Sequence, residues 1–462
     1  MITTMNTIKT IAARALFTCA IGLFNLNSWA AGIPIEHWTQ PTGVQVFLVQ
    51  SPVIPMLDLQ IDFDAGSRRD PPLQAGLADV TASMSNKGLL GGPDGAPALD
   101  ENELGEAWAD LGASFGADAS ADRMSFSLRS LTYPDLLDKA VQLAARELGE
   151  PAFPEKIWLR ERETLNAAIR EANTRPATLA ARAFNTAVYG QHPYGFEMTE
   201  ASLARIDVDA MKALHSALIV PCRAKVSLVG AVNRAQADAL VTQLFARLQA
   251  KVAGQGAATC AALPPVDEVA ALTQPVEKSI TFDSAQAHVL MGQPGYKRTD
   301  PDFFALVAGN YTLGGGGFVS RLMKEVREKR GLVYSVYSYF APGLHAGAFT
   351  LGFQTRPDQA KEAVQVATGV VADFVAHGPR EAELQAAKDN LIGGFALRID
   401  SNRKLLDNVA NIAWNNLPLD YLDTWTQQVE KLTAADVKAA FARKLQPEKM
   451  VTVVLGAEPP AK

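Results

Sequence analysis

The chain has 462 residues, of which 48% are hydrophobic and 20% charged, with 34 Gly and 26 Pro. This composition excludes disordered, collagen-like and disulfide-dense chains, and at about 100–200 residues per domain the length implies several domains. Lys plus Arg (43) is outnumbered by Asp plus Glu (49), giving a formal charge of −6, so there is no broad basic footprint for nucleic acid.

Lys9 and Arg14 open the chain, and no acid precedes Glu36. Ala15 to Phe24 is apolar, and Ser28-Trp29-Ala30 places small residues at −3 and −1 of a cleavage site. This is the pattern of a secretory signal peptide over residues 1–30. Its apolar run is well short of the about 20 residues that span a bilayer. Export is therefore expected, and the signal looks Gram-negative bacterial. Cys19 leaves with it. Cys222 and Cys260 remain in a compartment that permits disulfides; a bridge and two lone thiols are both open.

Leu57, Leu59, Ile61 and Phe63 alternate with Asp58, Gln60, Asp62 and Asp64, which is the period of a strand with one buried face. Strands are expected across 44–63, helices at 73–87 (ended by Gly88), 133–149 and 155–172, and further strands at 123–130 and 224–229. Lys251 to Pro275 is rich in Ala, Gly and Pro without an apolar period and reads as a linker. Beyond it, strands are expected at 288–292, 332–340, 347–354 and 450–455. Helices are expected at 302–313, 318–330, 358–376 (ended by Gly378) and 380–396.

The chain also resembles itself. Lys139-Ala140-Val141-Gln142-Leu143-Ala144 returns as Glu362-Ala363-Val364-Gln365-Val366-Ala367. Lys212-Ala213, Pro221 and Val226 through Gly230-Ala231 return, at almost the same spacing, as Lys438-Ala439, Pro447 and Thr452 through Gly456-Ala457. Two matches in one order indicate an internal duplication. The expected organisation is α+β: two homologous domains, 31–250 and 276–462, each a mainly antiparallel sheet covered by helices and joined by the linker at 251–275.

The motifs for chemistry are few. The six histidines are His37, His192, His215, His288, His345 and His377, and none forms the i, i+4 helical pair that a catalytic zinc usually takes. No Ser-centred G-x-S-x-G is present. Gly314-Gly315-Gly316-Gly317 lacks a following Gly-Lys-Ser/Thr and reads as a turn or close-approach site. More specific is the stretch that follows: a helix carrying Arg321, Arg327 and Arg330, ended by Gly331, then a strand carrying Tyr334. Arg327 and Tyr334 meet at a helix–strand corner, where a guanidinium and a phenol can bind a carbonyl oxygen and stabilise charge on it. The plainer reading is an Arg offsetting a helix dipole and a Tyr packing in a strand.

This segment resembles the C-terminal signature of the pitrilysin/insulinase family of inverted-motif zinc peptidases, which includes mitochondrial processing peptidase and its two-subunit bacterial relatives. The matching residues are Ser320-Arg321-Leu322, Arg327 and Gly331-Leu332-Val333-Tyr334. His192-Pro193-Tyr194-Gly195 and the Ala65-Gly66-Ser67 and Ala75-Gly76-Leu77-Ala78 stretches match as well. The resemblance implies a substrate-gripping role for Arg327 and Tyr334. It also implies a helical H-x-x-E-H after Gly-Leu-Ala, with a further Glu as third ligand. Here that helix reads Asp79-Val80-Thr81-Ala82-Ser83. Asp79 and Ser83 replace the histidines, and Ala82, which accepts no proton, replaces the general base. Glu161 and Glu163, near the third-ligand region, read as solvated helix charges.

The resemblance thus implies a zinc-less, non-catalytic subunit. It would hold no cofactor of its own and pair in the periplasm with a homologous zinc-bearing peptidase subunit that cleaves peptides. Two alternatives stand beside it. One is a non-enzymatic scaffold or peptide-binding protein. The other is a stand-alone metallopeptidase with a rebuilt metal site.

Overall fold

The computed structural model describes residues 32–254 and 260–456. The segment read as a signal peptide and Ala457 of the repeated motif lie outside them. The first half runs β1 (Glu36–Thr39), β2 (Gln45–Gln50), β3 (Met56–Phe63), α1 (Leu77–Met84), a short β4–β5 pair (Gly88–Leu89, Leu99–Asp100) and α2 (Glu101–Asp110). It continues with β6 (Ser114–Ala119), β7 (Met124–Leu131), α3 (Pro134–Gly149), α4 (Glu155–Ala172), α5 (Pro176–Tyr189), α6 (Glu200–Leu203), α7 (Val208–Leu218), β8 (Lys225–Gly230) and α8 (Arg234–Gly254). The second half runs β9 (Val276–Ile280), β10 (Ala287–Tyr296), α9 (Phe303–Asn310), β11 (Val333–Phe340), β12 (Gly347–Thr355) and α10 (Ala360–His377). It closes with α11 (Glu381–Gly393), α12 (Asn402–Trp414), α13 (Tyr421–Glu430), α14 (Ala434–Lys444) and β13 (Val451–Leu455).

The duplication is visible in the sheets. The first has the order β1-β2-β8-β3-β7-β6 and the second β11-β12-β10-β13-β9. Read from the opposite end, the second repeats the first without β1. Each contains a single parallel pair at the equivalent place, β2 with β8 and β9 with β13, and antiparallel neighbours elsewhere.

The halves then exchange helices. One face of the first sheet packs on its own α1, α3, α7 and α8 through Leu57, Leu59, Ile61 and Phe63, all fully buried. Its other face is covered by α12 of the second half, in a core that joins Phe47, Val49 and Val229 to Leu406, Val409 and Ile412. Reciprocally, α5 of the first half lies on β10 and β13, where Ala180, Phe184 and Val188 meet Val451, Val453 and Leu455. The two halves form one compact unit from Ile33 onward, because each sheet needs a helix from the other half to bury its second face.

This corrects the reading of β3. Its alternation suggests a wet side, yet Asp58, Gln60 and Asp62 are also buried, under α12. Asp62 accepts from Ser125 Oγ at 2.6 Å, Gln60 Nε2 at 2.9 Å and Arg123 at 3.0 Å. Burial still holds its pKa above the ordinary carboxylate value, against the pull of Arg123. Lys225 of β8 donates to Ala413 O and Asn416 Oδ1, both at 2.7 Å, and so closes the C-terminus of α12 with a cation from the other half.

Three expected helices are shortened or interrupted. The 73–87 segment begins as a 3-10 turn at Pro72–Gln74 and becomes α1 only after Gly76, whose φ of +99° breaks the helix start. The 302–313 and 318–330 segments are interrupted by π-helical turns at Tyr311–Gly315 and Met323–Glu328. The linker is tied at several points along its described part. Cys260 forms a disulfide with Cys222, their Cα atoms 6.2 Å apart. Arg223 donates to Ala261 O at 2.9 Å, Arg69 donates to Pro264 O, and Ala346 N donates to Glu268 at 2.8 Å.

Candidate functional site

The corner at Arg327 is built by close approach of backbone. Gly314 lies against β11, where a Cβ would meet Ser338 Oγ at 2.3 Å and Ser338 N at 2.6 Å, so only glycine fits. Asn310, at the end of α9, fixes the same contact: its Nδ2 donates to Ser338 O at 2.9 Å and its Oδ1 accepts from Ser338 Oγ at 2.7 Å. Ser320 is buried and donates to Gly317 O at 2.7 Å. π-helical turns are rare and concentrate at functional sites; here one takes in Gly314 and Gly315 and a second follows at Met323–Glu328.

The cations of this segment divide by partner. Arg321 is structural: it pairs with Glu383 at 2.7 Å and Asp373 at 3.2 Å and donates to Gly378 O. With Arg380 it holds the Glu383 carboxyl down at about 2 despite burial. Arg330 and Lys329 both pair with Glu325. Among the described residues no carboxylate pairs with Arg327. Its guanidinium carbon instead sits 5.4 Å from the centre of the Tyr334 ring and 4.8 Å from that of Phe318.

Tyr334 owes its direction to a β-bulge. Val333 opposes Thr355 and Val336 opposes Phe353, so β11 has one residue more than its partner in that interval. Counting back from buried Val336 and Ser338, an unbroken strand turns residue 334 inward. The bulge turns it outward, beside Tyr337 and Tyr339, and it is 85% exposed. Tyr334, Tyr337 and Tyr339 together border a cleft of about 510 Å³ between α5 and the second sheet.

The equivalent place in the first half is α1 against the edge strand β6. Asp70 positions this helix, its carboxylate accepting from Gly76 N at 2.9 Å and Ala78 N at 3.0 Å. Burial pushes its pKa up to about 7. Asp79 is half-buried, and burial and then the nearby Asp118 of β6 raise its pKa. Ala82 is buried, and Ser83 is exposed and donates back to Val80 O at 3.0 Å. Glu161 pairs with Arg160 at 2.6 Å, and Glu163 is exposed. One carboxylate, one methyl and one hydroxyl on α1 do not make a zinc site. Among the described residues no group of three or more His, Cys, Asp or Glu is placed to hold a metal ion.

His192-Pro193-Tyr194-Gly195 is a joint between the halves. Tyr194 OH donates to Asp122 at 2.6 Å and accepts from His345 N, while Leu344 N donates to Asp122 at 2.9 Å. The His192 and His345 rings are 5.0 Å apart. Burial, and then His345, lower the His192 pKa. Phe318, Tyr337, Tyr339 and Asp118 were not legible as site residues. Their only sequence signal is proximity to the corner and to the degenerate helix.

Residues 45–201 match the model of the insulinase family, peptidase family M16, and residues 205–391 match that of the peptidase M16 inactive domain. The chain belongs to the M16 peptidase family. A crystal structure of a peptidase M16 inactive domain from Pseudomonas fluorescens superposes with a TM-score of 0.84, at 33% identity, over 93% of this chain and 99% of that one. Among curated relatives, an uncharacterized zinc protease, YmxG, of Bacillus subtilis is 24% identical, over 89% of this chain and 95% of its own length. A protein of Helicobacter pylori named non-peptidase homolog YmxG is 25% identical, over 91% and 93%. The inactive-domain match and the non-peptidase name of the Helicobacter relative support a non-catalytic M16 member. No helix among the described residues is long and apolar enough to cross a membrane.

Proposed function

We propose that this chain is the zinc-less subunit of an exported, heterodimeric M16 peptidase. Its Arg327 and Tyr334 bind the carbonyl of an unfolded peptide that a homologue bearing H-x-x-E-H hydrolyses. The observation that carries the reading is a guanidinium without a carboxylate partner, 5.4 Å from the ring of an outward-turned tyrosine that borders an open cleft. A guanidinium N–H and a phenol O–H aimed at one oxygen stabilise the charge that develops on it during hydrolysis, and no H-x-x-E-H occurs in the sequence. The partner supplies metal and water; this chain supplies the two donors. Lys9, Arg14, the apolar run to Phe24 and Ser28-Trp29-Ala30 support export to the periplasm.

The test is to purify the tagged mature chain from its own cells, identify what comes with it, and measure hydrolysis of an unfolded peptide by the chain, the partner and the mixture. The expected result is an H-x-x-E-H homologue in the eluate and hydrolysis by the mixture well beyond the partner alone. Equal activity of partner and mixture overturns the reading. The scaffold or peptide-binding reading is supported by the non-peptidase name of the Helicobacter relative. It then takes over if peptide is retained without added hydrolysis.

A further inference from the structure

We propose that the cleft between α5 and strands β10 to β12 is a subsite for one bulky, uncharged, aromatic or apolar side chain of an extended peptide. This deepens, and rests on, the reading that Arg327 and Tyr334 hold a peptide. Tyr334 belongs to both features: its ring flanks the guanidinium and its edge borders the cleft, so a chain gripped at the corner has its neighbouring side chain at the opening.

The cleft is lined by uncharged residues, apolar ones together with Asn185, Gln286, Thr350 and Gln354. Its volume of about 510 Å³ is within the range of small-ligand pockets, and no Asp, Glu, Lys or Arg lines it. One wall is aromatic. Tyr337 and Tyr339 lie nearly parallel, 6.0 Å apart at 17°. Tyr337 lies over its cross-strand partner Gly352, where a Cβ would come within 2.5 Å of the phenol oxygen; the glycine leaves the ring its place. The opposite wall is the small-residue face of α5, Ala177, Ala180 and Ala181 at i, i+3 and i+4. Methyl groups there leave space that larger residues would fill. His288 is the one histidine in the lining, and burial lowers its pKa, so it is neutral at pH 7. A charged side chain entering this space loses hydration and meets no counter-ion, whereas an aromatic one gains ring contacts.

The experiment uses the full mature chain alone and three labelled, unstructured decapeptides identical except for a central Phe, Ala or Asp, with binding read by fluorescence anisotropy. The Phe peptide is expected to bind at least tenfold more tightly than the other two. Ala181→Trp, which fills the cleft from the half-exposed side of α5, is expected to erase that preference. Tyr337→Ala, on the exposed side of β11, is expected to reduce the preference and serves as the second variant should the first not fold. Arg327→Ala is expected to weaken all three peptides in proportion. Equal affinities, no binding, or a Phe preference that survives both cleft variants overturns the proposal. Hydrolysis is not read, so an inactive mixture with the partner counts against the peptidase reading and leaves this measurement intact.

Discussion

The guanidinium of Arg327 stands 5.4 Å from the ring centre of Tyr334, with Phe318 4.8 Å away. Among the described residues the cation is held by two rings rather than by a carboxylate, which under the proposed function leaves its N–H groups for a substrate oxygen.

Under the proposed function, with a zinc-bearing partner present, Arg327→Ala and Tyr334→Phe should each lower turnover at least about tenfold. Tenfold is about 1.4 kcal/mol, roughly half the lower bound of the about 2.7–4 kcal/mol lost when one preorganised oxyanion donor is removed. Complex formation, followed by gel filtration, should be unchanged. Phe318→Ala leaves both donors in place and should cost only about two- to fivefold, the scale of an exposed cation–π contact. Full activity of both Arg327→Ala and Tyr334→Phe would refute the role.

Lys225→Met should weaken the whole molecule rather than one half. Its ammonium closes α12 through Ala413 O and Asn416 Oδ1 and lies near buried Asp62, which it helps to compensate. Leaving those acceptors without a donor costs about 1–3 kcal/mol. Urea unfolding followed by both tryptophan fluorescence and far-UV circular dichroism should show an equal shift with both probes.

Glu147 is buried, accepts from Trp108 Nε1, and has its second oxygen without a partner. Burial pushes its pKa up to about 8. The folded state thus holds a proton that the unfolded chain releases above its ordinary value of 4.5. This group's contribution to stability falls as pH rises from there to about 8, and then levels. Glu147→Gln keeps the acceptor for Trp108 and should flatten that slope, making the variant more stable than the parent at pH 9. His215 acts oppositely: burial pushes its pKa down to about 3, so stability is lost as pH falls below 6.5 toward 3. Urea midpoints at pH 4, 5, 7 and 9 separate the two slopes.

The Cys222–Cys260 disulfide closes a separation of 38 residues. Loop-closure arithmetic assigns such a link about 4 kcal/mol. Cys222→Ala with Cys260→Ala should lose stability on that scale, and reductant should destabilise the parent but not the double variant. Denaturant titration with and without dithiothreitol checks it.

Much of the fold could be read from residues. The repeat of Lys139–Ala144 at Glu362–Ala367 announces the duplication, and the matched strand orders carry it through. Gly378, ending α10 with a φ of +72°, and the helix of residues 155–172 fall where local rules put them. The helix ends near Arg327 do not, because the π turns around the glycine run answer to contacts with Ser338 rather than to local propensity.

The amino-acid order alone fixed which residues are present at the two corners: Arg327 and Tyr334 at one, Asp79, Ala82 and Ser83 at the other. Only the tertiary structure decided what faces what. The polar side of β3 is dry because a helix from hundreds of residues away covers it, and Tyr334 points outward because one extra residue in β11 shifts its pleat. Alternation records a strand's two sides, but which side meets water depends on what the rest of the chain lays upon it.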